Sequence, residues 1–248
     1  MSEFRVRGKD FDKLVFVHLT KTAGGTLKEA IANEPSFSPV FLYNEKDWSK
    51  YDRSFHNVIY GHPNKWMFGK IGKDLDSSGD RFAYITFLRH PVTRTISHYY
   101  HLRNVDQGEV GDRIRSYSSI DDFFANDFHW EFSDFFCKMF SNSEHIRANV
   151  DMERRFEEAK NTIENCFSFV GFQESFDLSV LVLNVLLGRN LRIQQNINVG
   201  GYSSFGIKKE TLRKIVLMNE YDLRLYKRAQ RFLGREFLRS EVFVDEYN

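Results

Sequence analysis

The sequence is short of three features, and each shortage excludes a class of protein. Its only two cysteines, Cys137 and Cys166, form no Cys-x-x-Cys pair, which excludes a disulfide framework and a cysteine-ligated zinc site. Lys and Arg number 35 against 34 Asp and Glu, so the chain lacks the basic excess with which proteins wrap nucleic acid. No stretch of about 18 apolar residues is present to span a membrane. We therefore expect a cytoplasmic protein with free thiols and with neither nucleic acid nor membrane as a partner.

What the sequence does contain is enough apolar material for a substantial core. Of its 248 residues, 42% are hydrophobic, and 25 are phenylalanine. We predict a single domain over residues 1–248. The alternation of strand-like and helix-like segments predicts an α/β fold, in which a short parallel sheet is flanked by helices and a phosphate loop follows the first strand. The sequence predicts no oligomeric state.

Residues 15–31, VFVHLTKTAGGTLKEAI, are the most informative stretch. The β-branched and aromatic start predicts a strand, Lys-Thr-Ala-Gly-Gly-Thr predicts a loop, and the apolar spacing after it predicts a helix. Adjacent glycines let the backbone approach a ligand closely, and a helix N-terminus presents unpaired N–H groups to an anion. Lys21 adds a cation, while Thr22 and Thr26 add hydroxyl groups. The pattern indicates a site for phosphate or sulfate.

The position of Lys21 argues against a nucleotide triphosphatase. The loop of that class ends in Gly-Lys-Ser/Thr, so that its lysine follows the glycines and reaches the β- and γ-phosphates. In this chain Lys21 precedes Gly24 and Gly25.

A second stretch pairs an arginine with a serine. Residues 81–88, RFAYITFL, predict a strand, and Pro91 predicts the start of a helix over residues 91–103. Arg89 ends the strand, and Ser97 lies two turns into the helix. Such a pair can bind one phosphate through a guanidinium fork and a hydroxyl.

His62 is the candidate general base. It follows residues 57–60, NVIY, a predicted strand that stops at Gly61. Imidazole has a pKa near neutrality and is suited to accept a proton from an attacking alcohol or amine. A role limited to capping the turn or contacting the substrate is the alternative.

Farther along the chain, the pattern predicts shorter features. A strand is expected at residues 40–43 and another at residues 167–171. The polar segments 45–53 and 104–119 are expected to be loops, and Ser119 followed by Asp122 predicts a helix cap. Helices are expected over residues 151–165, from about residue 176 to 187 and, as a pair, over residues 208–238.

The loop and the second stretch, FLRHPVTRTISHYYH, resemble the donor-binding motifs of sulfotransferases that use 3′-phosphoadenosine 5′-phosphosulfate (PAPS). The closest resemblance is to the carbohydrate-modifying, heparan-type group, similar to the 2-O-sulfotransferases. That group carries a Gly-His element after a strand, which matches His62, and some members have a second histidine where this chain has Tyr60. Two positions depart from the family pattern: Thr20 replaces a common proline, and His90 a common aspartate.

The resemblance implies a role for each matching residue. Lys21 would act in catalysis and hold the donor, and His62 would be the base. The residues implied in binding the 5′-phosphosulfate are Lys21, Thr22, Ala23, Gly24, Gly25, Thr26 and Leu27. Arg89 and Ser97 would bind the 3′-phosphate. Tyr202 and Ser203, in the glycine-rich loop 196–206, would contact the adenosine. No metal is implied.

These observations predict an enzyme that transfers a sulfuryl group from PAPS to a hydroxyl or amine of a small-molecule or carbohydrate acceptor. Two alternatives stay open. A P-loop kinase would depend on magnesium and ATP, and a non-catalytic nucleotide-binding module would bind the donor without turnover.

Overall fold

A parallel sheet organises the first part of the protein in the computed structural model, which describes residues 4–6, 9–62, 80–141, 151–193 and 206–239. The chain divides into two compact units. The first comprises residues 1–88, 161–198 and 228–248, and the second comprises residues 89–160 and 199–227. That the whole chain is one domain stays a prediction.

Within the described residues, the sheet of the first unit has five parallel strands, which are β3 (Lys13–Val17), β4 (Pro39–Leu42), β5 (Val58–Gly61), β6 (Phe82–Leu88) and β7 (Phe167–Phe172). Their order across the sheet is β4-β5-β3-β6-β7. The chain starts this sheet at its central strand, adds strands on one side and then crosses to the other. Strand β3 therefore lies at the topological switch point of the sheet. In open α/β sheets, ligands usually bind in the crevice outside the carboxyl ends of the strands at this point.

The sheet is buried on both faces, as parallel sheets are. Along β3, Leu14 and Phe16 belong to a core cluster, while Val15 and Val17 point to the opposite face and are equally buried. Helices α1 (Gly24–Ala32) and α7 (Phe176–Leu187) pack into that cluster. The predicted α/β fold with a short parallel sheet flanked by helices is confirmed.

Seven further helices lie in the part of the chain that the structure describes. They are α2 (Pro91–Asn104), α3 (Glu109–Arg115), α4 (Ile120–Asn126), α5 (Phe135–Phe140), α6 (Met152–Cys166), α8 (Lys209–Met218) and α9 (Glu220–Arg239). In the second unit, aromatic and aliphatic side chains from α2, α3, α4 and α8 form a separate core, which includes Tyr99, Phe123 and Phe124.

Three local features differ from the expectations. An antiparallel pair, β1 (Phe4–Val6) with β2 (Lys9–Phe11), occurs where no strand was predicted. The expected loop at residues 45–53 contains a 3-10 helix, Glu45–Lys50. The expected loop at residues 104–119 contains α3, in which acidic residues occupy the first turn and arginines the last. These charges complement the helix dipole and stabilise a helix whose glycines pointed to a loop.

Candidate active site

The loop between β3 and α1 has the backbone of an anion-binding turn. Lys21 and Ala23 adopt left-handed conformations, with φ of 69° and 66°, and Ala23 occupies the N-cap position of α1. Alternating conformations of this kind direct successive N–H groups to one point. The hydroxyl of the buried Thr22 donates to the carbonyl of Leu19 at 2.9 Å and so fixes the turn.

The first turn of α1 is also electrostatically suited to an anion. Its first residues are Gly24, Gly25 and Thr26, whose N–H groups lack acceptors within the helix. No acidic residue lies in this turn to compete for the positive end of the helix dipole. Leu27 is different, because its N–H is directed at the carbonyl of Ala23 at 3.4 Å and its side chain is buried in the core.

His62 lies at the same edge of the sheet as this loop. It follows β5, the strand next to β3, and its N–H donates to the carbonyl of Leu42 at 3.2 Å, which continues the pairing with β4. Its ring packs against His18, with ring centroids 4.9 Å apart, and against Tyr43 at 5.2 Å. The predicted base is therefore held in an aromatic cluster that crosses three strands.

Tyr60 takes a structural part in this cluster. Its hydroxyl donates to the carbonyl of Gly24 at 2.8 Å, and its side chain is fully buried. Burial raises the pKa of Tyr60 far above its usual range, with a smaller contribution from Tyr43, so the phenol stays protonated. Tyr60, which stands where some relatives carry a second histidine, is thus a hydrogen-bond donor to the loop rather than a proton acceptor.

Sequence reasoning missed two residues of this cluster, His18 against the ring of His62 and Lys28 over the ring of Tyr43. His18 follows β3 directly, and Lys28 on α1 places its Nζ 4.8 Å from the ring centroid of Phe41 and 4.9 Å from that of Tyr43. The strand alternation was a usable signal, since His18 is two residues after Phe16 and therefore shares its face. For Lys28 the sequence carried no comparable signal, because its partners come from another strand.

In the second unit, Arg89 and Ser97 lie on the segment that begins helix α2. The helix starts at Pro91, as predicted, and ends at Asn104. The Nε of Arg89 donates to the hydroxyl of Thr93 at 3.3 Å, so the first turn of the helix supports the guanidinium. Ser97 is on the second turn and is only 4% exposed. A phosphate contact by Ser97 therefore requires a ligand that enters a largely enclosed position.

His90, which replaces the common aspartate, occupies the N-cap position of α2 without making a side-chain cap. Aspartate is a favoured capping residue, whereas an imidazole is not. The His90 ring instead packs edge-on against Tyr226, with centroids 5.7 Å apart.

Three further predictions concern the adenosine contacts, a metal site and a membrane-spanning helix. Tyr202 and Ser203 lie outside the described residues. Within the described ranges, no group of His, Cys, Asp and Glu side chains is arranged to hold a metal ion. Among the same residues, no helix has the length and apolar character needed to cross a bilayer.

Comparison with protein-family models shows which family the chain belongs to. A model described as "Sulfotransferase family" matches residues 2–228. The chain belongs to the sulfotransferase family. The resemblance of its two motifs to sulfotransferases is thereby confirmed.

Two solved sulfotransferase structures are similar at low identity, and the one with the TM-score of 0.50 has the same fold. A sulfotransferase from Alicyclobacillus acidocaldarius is 12% identical with a TM-score of 0.50, and the match covers 90% of this chain and 95% of that one. Mouse sulfotransferase SULT7A1 complexed with PAP is 15% identical with a TM-score of 0.40, over 73% of this chain and 60% of the mouse chain. A search of curated proteins found no match.

Proposed function

We propose that this sulfotransferase transfers a sulfuryl group from PAPS to a hydroxyl or amine of a small-molecule or carbohydrate acceptor. One observation carries the proposal. A loop with left-handed Lys21 and Ala23 leads into the N-terminus of α1 at the switch point of the sheet, and His62 ends the adjacent strand. An anion site and a proton acceptor at one sheet edge are what sulfuryl transfer requires.

The 5′-phosphosulfate of PAPS suits this loop. The N–H groups of Ala23, Gly24, Gly25 and Thr26 would bind its oxygens, and the hydroxyl of Thr22 would keep the turn in shape. Lys21 would neutralise the oxygen that bridges sulfur and phosphorus as negative charge develops there. Such charge stabilisation by a fixed group is among the largest contributions an enzyme makes to a reaction rate.

Arg89 and Ser97 are proposed to bind the 3′-phosphate. The family resemblance assigns them this role, and the support of Arg89 by Thr93 agrees with it. A guanidinium binds phosphate through two parallel hydrogen bonds, which favours a nucleotide with a 3′-phosphate over one without it.

The reaction that follows is a single displacement. PAPS supplies the activated sulfuryl group; the acceptor oxygen or nitrogen forms a bond to sulfur, and the bond from sulfur to the 5′-phosphate oxygen breaks, releasing 3′-phosphoadenosine 5′-phosphate. His62 accepts the proton that the acceptor loses. Tyr43, whose ring packs against His62, and Lys28, whose Nζ lies over the Tyr43 ring, are proposed to contact the acceptor, because aromatic faces pack against rings and an ammonium group binds polar substituents.

Calorimetric binding of the product nucleotide tests the donor site. We expect the wild-type protein to bind 3′-phosphoadenosine 5′-phosphate more tightly than ADP. Arg89→Ala should lose this preference, because the 3′-phosphate then lacks its charged partner. Lys21→Ala should weaken the binding of both nucleotides, because Lys21 is proposed to contact the 5′-phosphate, which both of them carry.

A matched control separates these effects from general loss of positive charge. Arg53 lies in the first unit, where it pairs with Asp80 at 2.8 Å, and Arg53→Ala should bind like the wild type. Equal affinity of the wild-type protein for ADP and for 3′-phosphoadenosine 5′-phosphate would refute the proposal. Magnesium-dependent phosphoryl transfer from ATP would support a kinase instead.

A further inference from the structure

His18 and the proposed base His62 occupy equivalent positions on neighbouring strands. Val17 at the end of β3 is in register with Gly61 at the end of β5, and the N–H of His18 donates to the carbonyl of Gly61 at 2.7 Å. The two imidazoles consequently project from the same face. Their planes are perpendicular, with centroids 4.9 Å apart. The edge of one ring therefore meets the face of the other.

The same His18 ring also packs against the phosphate loop. A Cβ placed on Gly24 would lie 1.9 Å from both Cδ2 and Nε2 of His18, so the imidazole fills the space that a side chain at this position would need. His18 thus contacts both the first glycine of α1 and the ring of His62.

His18 is poorly suited to be the base itself. Its Nδ1 is buried and has no hydrogen-bond partner among the described residues. Burial, followed by the positive charges of His62, Lys28 and Lys21, lowers the pKa of His18 to about 3. An imidazole of such weak basicity stays neutral at physiological pH and accepts a proton less readily than an ordinary histidine.

We propose that His18 is a positioning residue, which sets the orientation of the His62 ring relative to the phosphate loop. This inference rests on the proposed function, because it takes His62 as the base. Its physical content is the perpendicular ring contact on one side and the Gly24 contact on the other. Loss of the His18 ring would remove one of the contacts that orient His62, and a misplacement of about 1 Å reduces enzymatic rates by roughly 100-fold.

Nuclear magnetic resonance of the free protein tests this directly. The ring signals of His62 are assigned with His62→Ala, and their nuclear Overhauser effects to the Tyr43 ring report its orientation. Among the described residues, the groups that face His62 or its ring partners include His18 directly after β3, Tyr60 on β5, Tyr43 after β4, and Lys21 and Lys28 as nearby charges. In His18→Ala we expect the nuclear Overhauser effects between the rings of His62 and Tyr43 to weaken.

Two further substitutions of the same residue separate the effect of the ring from the effect of its polar atoms. His18→Phe keeps a ring at the contact and should preserve the His62 orientation, whereas His18→Asn keeps a polar atom without the ring and should behave like His18→Ala. His56→Ala serves as the control, because His56 precedes β5 and its Nδ1 accepts from the N–H of Asp52 at 2.9 Å. That variant should leave the His62 signals unchanged.

The outcomes distinguish this inference from the proposed function. If His18→Ala and His18→Asn both keep the wild-type effects between the rings of His62 and Tyr43, His18 does not position His62. This result would stand whether or not 3′-phosphoadenosine 5′-phosphate binds. If the wild-type protein fails the nucleotide-binding test while His18→Ala and His18→Asn show the expected His62 changes, the proposed function is refuted and the ring contact is established.

Discussion

At the scale of single residues, Gly24, which begins α1 after the loop at Lys21–Ala23, packs against the ring of His18. Gly24→Ala would place a Cβ 1.9 Å from the His18 ring, and overpacking of this kind destabilises a protein by about 1–3 kcal/mol. In a His18→Ala background the obstructing ring is absent. There we expect Gly24→Ala to be neutral or stabilising by up to about 1 kcal/mol, because alanine is the better helix former. Urea unfolding of the four proteins gives the coupling.

A second crowded glycine provides the control for this cycle. A Cβ on Gly171 would lie 2.6 Å from Cε1 of Phe87, so Gly171→Ala also overpacks the first unit. His18→Ala should not relieve it, since the crowding atoms belong to Phe87. Equal destabilisation by Gly24→Ala with and without His18 would show that the ring is not the obstacle.

The residue scale also shows what the sequence could and could not predict of the candidate site. Lys21 and the glycines could be predicted as site residues because a loop motif is contiguous in the chain. His62 could be predicted because it follows a strand at a turn. His18 was overlooked because its importance depends on the register of β3 against β5, which brings Val17 opposite Gly61 and is fixed only when the strands pair.

At the scale of elements, the cap of α4 joins a sequence pattern to a stability effect. The hydroxyl of Ser119 accepts from the N–H of Asp122 at 3.1 Å, as the spacing predicted. We expect Ser119→Ala to destabilise the protein by about 1 kcal/mol, and Ser119→Asn to retain most of the stability, because asparagine also caps helices. The urea midpoint measures both.

Ser116 is the comparison for this effect. It is exposed, and its hydroxyl donates to the carbonyl of Arg113 at 2.7 Å without capping a helix start. Ser116→Ala should therefore change the free energy of unfolding by less than about 0.5 kcal/mol. If Ser119→Ala is as mild as Ser116→Ala, the cap contributes nothing to stability.

The elements that sequence predicted well are those whose own residues determine them. Strand β6 and helix α2 are flanked by clear signals, an apolar run and a proline at the helix start, and both were placed to within a residue or two. The pair β1 and β2 was missed, because short strands of three residues carry almost no period of their own. Helix α3 was missed because Gly108 and Gly111 outweighed the charge pattern that stabilises it.

At the scale of the whole molecule, stability against pH is governed partly by two buried carboxyl groups. Asp222 accepts from the N–H groups of Phe136 and Cys137, both at 2.8 Å, and Asp134 accepts from the N–H of Asp222 at 3.0 Å. Burial, and then the charge of Asp222, raise the pKa of Asp134 to about 7. An aspartate in the unfolded chain has its ordinary pKa near 3.9.

The sign of the effect follows from these two values. Between pH 4 and pH 7 the native protein binds a proton at Asp134 that the unfolded chain has released, so stability falls as pH rises through this interval. Asparagine has no proton to lose and still offers an oxygen to the N–H of Asp222. We expect Asp134→Asn to gain stability relative to the wild type as pH rises from 4 to 7, by up to about 1.4 kcal/mol per pH unit.

Asp127→Asn makes the same chemical change with the opposite expectation. A hydrogen bond from Arg113 is the main cause that lowers the pKa of Asp127 to about 2, so its stabilisation is present at neutral pH and is lost only below pH 4. Asp127→Asn should thus be less stable than the wild type by a constant amount between pH 4 and pH 8. Urea unfolding at intervals of one pH unit compares the two variants. Parallel curves for Asp134→Asn and the wild type would mean that Asp134 is ionised throughout the range and that the buried pair does not oppose folding.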